Sequence, residues 1–158
     1  MGAELRKIDK TLYDMDYNLW VLETVSQLQR RDLEVLDWEN LIEEVIDLSR
    51  RDKHKLESLL MRLLEHLLKL GYWNSAREQN QGHWQGEIRN FRKQIKRLLR
   101  DSPSLWVYLQ DIFPECYQDS REIVSDRSQL SLEHFPPAPI GSLEQVLDEA
   151  WFPEIPED

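Results

Sequence analysis

The fold turns on residues 38–70, WENLIEEVIDLSRRDKHKLESLLMRLLEHLLKL. Trp38, Leu41, Ile42, Val45 and Leu48 recur at the spacing of one helix face. After the polar stretch SRRDKHK (49–55), Leu56, Leu59, Leu60, Leu63, Leu64, Leu67 and Leu68 form a broader stripe. A stripe wider than one face calls for neighbours on two sides, so this segment reads as the central helix of a bundle. The polar stretch is either a continuous exposed turn or a kink. Gly71 is placed to end the helix in the left-handed conformation.

The flanks follow the same period. Asp14 or Asp16 can cap a first helix carrying Tyr17, Trp20, Val21, Val25 and Leu28 to Arg30 and Arg31, whose charge suits a helix C-terminus. Asp37 starts the next. Residues 72–83 are polar apart from two aromatics and read as a loop, after which Trp84, Ile88, Phe91, Ile95 and Leu98 define a helix over 84–100. Ser102 followed by Pro103 predicts a new start, with a helix to about residue 127 that Pro114 kinks or breaks. Three prolines hold 131–141 extended, and Ser142 with Gln145 matches a capping box for a short helix. The expectation is an all-α, single-domain helical bundle around one long central helix, with a proline-rich C-terminal crossing segment. It comprises a flexible leader at 1–12, one domain at 13–153 and an acidic tail at 154–158.

Composition agrees. Leucine occurs 25 times in 158 residues, whereas valine, isoleucine and threonine together reach 18, a balance that favours helices over strands. No apolar run reaches the roughly 18–20 residues that span a bilayer, and Arg6 and Lys7 have no apolar stretch behind them. One cysteine, Cys116, excludes an intrachain disulfide framework and a thiolate-rich zinc site, and reads as an inert core thiol. The expected setting is the cytoplasm. The net charge of −10 repels phosphate backbones and anionic membranes at long range, although residues 71–100 carry seven basic and two acidic side chains.

Motif searches find no phosphate loop, no dinucleotide-binding glycine fingerprint, no His-Glu-x-x-His and no Gly-x-Ser-x-Gly. Glu-x-x-His, the pair a di-metal carboxylate bundle needs, is also missing. Glu39, Glu43 and Asp47 stand four apart on one face and repel one another, which a cation or basic partner would relieve; the alternative is a solvated face. His66 among leucines is either a base or ligand, or a partly buried ring bonded to a neighbour. His83 is a second weak metal candidate. No cofactor is called for.

Several stretches resemble the chiefly cyanobacterial family called domain of unknown function 29. They are YDMDYNLW (13–20), LDWENLIEEVIDLSR (36–50), LLEHLLKLGYW (63–73), Trp84 with IRNFRKQIKRLLRDSPSL (88–105), and the closing FP and SLEQVLDEAWFP (142–153). The resemblance implies a small helical fold and brings no established activity. Its recurring positions correspond to Glu43, Glu44, His66, Lys69, Trp84 and Ser102-Pro103. This chain reads HLLKLGYWN where family members often read HLLKWQYQP.

Three functions follow as expectations. The first is a non-enzymatic protein-interaction module, adaptor or antitoxin-like, in which Trp73, Trp84, Trp151 and Phe152 meet another protein; a homodimer is the simplest closed assembly. It requires a contiguous exposed apolar patch. The second is a metal-dependent hydrolase or nuclease, with Glu43, Glu44 and His66 converging in one cleft. The third is nucleic-acid binding through the basic helix 84–100, using Arg89, Arg92, Lys93, Lys96 and Arg97.

Overall fold

A computed structural model describes residues 11–155. Among them are six α-helices and no strand: α1 (Leu12–Met15), α2 (Tyr17–Gln29), α3 (Trp38–Tyr72), α4 (Asn74–Asp101), α5 (Leu105–Ser128) and α6 (Leu143–Leu147). The all-α expectation holds. The flexible leader concerns residues that, apart from 11 and 12, lie outside the described ones, as do the last three residues of the acidic tail. The chain divides into two compact units, Met1–Ser49 and Arg50–Asp158, and α3 contributes to both.

In the first unit the Asp16 carboxylate accepts the Leu19 amide and starts α2. Asp37 does the same for α3, its side chain accepting the Asn40 amide while its carbonyl takes the Leu41 amide at 3.0 Å. Trp20, Thr24 and Leu36 are buried here.

The second unit has a continuous core. Seven leucines of α3 from Leu56 to Leu68 are buried with Trp84, Ile88, Phe91 and Ile95 of α4, Leu105, Leu109 and Tyr117 of α5, and Leu143, Val146 and Leu147 of α6. The polar stretch 49–55 is helical throughout, so α3 is one continuous helix of 35 residues. Ser142 and Gln145 form the reciprocal capping box expected for α6.

Four local expectations change. Residues 74–83 are helix, not loop, and only Trp73 separates α3 from α4. Ala, Arg, Glu and Gln there are good helix formers, and Arg77 returns to donate to the Leu70 and Gly71 carbonyls at 2.7 and 2.9 Å, groups that the end of α3 leaves without partners. Gly71 is helical with negative φ; a side chain there would sit 3.2 Å from Pro153, so close approach by the C-terminal segment explains the glycine. Ser102 closes α4 rather than opening α5, which begins three residues later. Pro114 is exposed and lies inside α5 without breaking it.

Candidate functional site

The first unit pairs its helices through polar groups. Glu44 of α3 accepts the Tyr13 hydroxyl at 2.6 Å and the Tyr17 hydroxyl at 2.7 Å. The Trp20 indole donates to Asp37 at 3.3 Å, and Asn40 donates to the same carboxylate at 2.7 Å. The rings of Tyr13 and Trp20 meet edge to face with centroids 4.9 Å apart. The Glu44 bond, with burial and the carboxylate's charge behind it, pushes the Tyr13 phenol up to about 12.

Asp37, Asn40 and Glu44 stand three and four residues apart, so one side of α3 is committed to these bonds. The opposite side is apolar, and it faces solvent. Trp38, Ile42 and Val45 remain 49, 53 and 58 % exposed there, with Ile46 also exposed, and Leu48, one turn after Glu44 on the polar side, is exposed as well. The Trp38 indole N–H is satisfied by the Leu33 carbonyl at 3.1 Å, which fixes the ring while leaving it open. On α2, Leu19, Leu22 and Val25 are exposed on the side away from buried Trp20 and Thr24. Burial of apolar surface normally drives helix pairing; here Trp20 and Leu36 are covered while this larger apolar set stays open. Glu39 and Glu43 stand exposed beside the α3 face. Residues 1–49 carry twelve acidic and five basic side chains.

A second region lies between α3, α4 and α5. A groove of about 410 Å³ is lined by Arg62, Glu65, His66, Glu87, Asn90 and Arg127, among others. Glu65 is buried and accepts from Arg127 at 2.9 Å. His66 Nδ1 lies 2.7 Å from the Arg62 carbonyl, which only accepts, so Nδ1 carries the proton and Nε2 keeps its lone pair. Burial lowers the His66 pKa, outweighing the carbonyl, and the ring meets Phe91 edge to face at 5.2 Å. The groove thus offers one neutral base beside a carboxylate already paired. Among the described residues, no group of three or more His, Cys, Asp or Glu side chains is arranged to hold a metal ion. Glu43 and Glu44 belong to the first unit and His66 to the second.

The remaining candidates disperse. Trp84 is 5 % exposed and stacks on half-buried Trp73 with centroids 5.9 Å apart, so Trp84 is a core residue and not a docking one. Trp151 is partly buried and closes over Gly141, where an added side chain would stand 2.8 Å from its ring; Phe152 is exposed, its ring 5.3 Å from the Arg92 guanidinium. Arg92 itself is 1 % exposed and donates to the Val146 and Trp151 carbonyls at 2.8 and 2.7 Å. It is therefore withdrawn from any phosphate-binding stripe. Arg89, Lys93, Lys96 and Arg97 are exposed, and Lys96 comes within 3.9 Å of Glu149. His83 is exposed on α4.

Sequence reading assigned no role to Tyr13, or to the face that Asp37, Asn40 and Glu44 make together. Their three-and-four spacing, on the side of α3 away from Ile42 and Ile46, was the available signal.

A family model described as "Domain of unknown function DUF29" matches residues 12–152 of the 158. No curated protein and no solved structure matches.

Proposed function

The chain belongs to that family of domains of unknown function, and we propose that this member is a non-enzymatic protein-interaction module, an adaptor or antitoxin-like binder, working in the cytoplasm. One observation carries the reading: the first unit joins α2 and α3 through Trp20 and half-buried polar groups and leaves the apolar face of α3, with that of α2, in solvent. Monomeric proteins seldom expose contiguous apolar patches beyond a few hundred Å² unless something covers them. Among the described residues, twelve of the sixteen exposed large hydrophobics fall between Met15 and Leu48.

The test is affinity capture from the native host with the intact chain and with an Ile42→Asp/Val45→Asp double variant, at low and moderate salt. A partner held by the intact chain at both salts and lost by the variant supports the reading. A partner held equally by both, or none captured by either, overturns it.

A further inference from the structure

Resting on that reading, we propose that the exposed face of α3 from Trp38 to Ile46 docks a basic amphipathic helix of a different protein, not a second copy of this chain. Trp38, Ile42 and Val45 stand four and three residues apart, the repeat of a coiled-coil seam, with exposed Ile46 widening it. Holes on such a seam accept side chains presented at the same repeat, which a strand or an extended peptide does not offer. The seam covers about 12 Å of helix axis, so two to three turns of a partner helix would cover it. It stops where Ser49 and Asp52 take the next seam positions.

The charge selects the partner's sign. Glu39 and Glu43 are exposed one turn apart along the Ile42 edge, and Glu34 is exposed just before α3. The unit of residues 1–49 carries a net charge of −7. A second copy laid on this face would bring the same charge against itself, so the symmetric dimer expected from the sequence is disfavoured. Lysines or arginines flanking the apolar stripe of another helix would instead be attracted and would relieve the repulsion between Glu39 and Glu43. Trp38 is the natural anchor, its ring held in place and half in solvent.

The experiment uses the full chain and three labelled synthetic helical peptides, read by fluorescence anisotropy. The first carries leucines at the seam repeat flanked by lysines, and the second has the same leucines flanked by glutamates. The third has the composition of the first with the leucines moved off the repeat. The lysine peptide is expected to bind about tenfold tighter than either other. Ile42→Asp/Val45→Asp should weaken it by a similar factor, both positions being exposed and so tolerant of the change. Glu39→Lys/Glu43→Lys should remove its advantage over the glutamate peptide. Equal binding by the rearranged peptide, equal binding by the glutamate peptide, or indifference to the Ile42/Val45 variant would each overturn the inference. A concentration-dependent dimer abolished by Val45→Asp, seen by sedimentation, would also overturn it, yet would leave the interaction reading standing. Failure of that reading shows separately, as host proteins captured equally by the intact chain and the double variant.

Discussion

The Tyr13 hydroxyl donates to Glu44 at 2.6 Å, and so ties the first described helix of the chain to the polar side of α3. The bond fixes the rotational setting of the long helix in the first unit. With Glu44 turned toward Tyr13 and Tyr17, the Ile42 and Val45 side chains are left outside.

That setting is testable through the phenol. Tyr13 gains a proton preference on folding, its pKa standing near 12 against an ordinary 10. A folded value above the unfolded one gives stability that is whole below pH 10 and is lost as the pH rises through about 12. The first unit should therefore loosen over that alkaline window. In an absorbance titration of the phenolates, Glu44→Gln should move one tyrosine back toward 10, and Tyr13→Phe should remove the same step.

Arg92 holds the C-terminal segment to α4 through two main-chain carbonyls. Arg92→Met keeps much of the volume but leaves both carbonyls without that donor, and should cost about 3 kcal/mol in urea unfolding. Nucleic-acid affinity, if measured, should owe nothing to this residue beyond its effect on folding.

Gly141 gives a steric version of the same test. A methyl group there would meet the Trp151 ring at 2.8 Å, so Gly141→Ala should destabilise by about 1–3 kcal/mol and increase the solvent quenching of tryptophan fluorescence. Gly82, where an added methyl meets open space, should accept alanine without that cost.

His66 and Cys116 report on burial. The folded imidazole has a pKa below its ordinary 6.5, so the unfolded chain takes up the proton first. Stability should then rise with pH from below the folded value up to about 6.5 and level off above it. Proton NMR should show one histidine titrating below the ordinary value. Burial also raises the Cys116 thiol to about 12, so a thiol reagent at neutral pH should label it only once the chain unfolds.

The leucines of residues 56–68 announced the core because their spacing leaves few alternatives, and Ser142 with Gln145 announced α6. The start of α4 was hidden because residues 74–83 carry helix-forming side chains without an apolar stripe, and the bonds from Arg77 that secure the junction cross between two helices. Gly71 misled for a related reason: a close approach by Pro153 asks for the same residue as a helix cap. Arg92 could have been separated from its basic neighbours, since it lies four residues after Ile88 and three before Ile95, on the core side of α4. Which way the Trp38 stripe faced was not legible. Periodicity finds an apolar face, but only tertiary partners decide whether it is covered, and here the tyrosines and Trp20 sit on the opposite side.

The most direct test of the central claim is photo-crosslinking in the native host from two exposed positions, with a photoreactive residue at Ile42 in one chain and at Glu115 of α5 in another. The account predicts one defined heterologous adduct from position 42 and none from position 115. No adduct from position 42, or the same adducts from both, would contradict it.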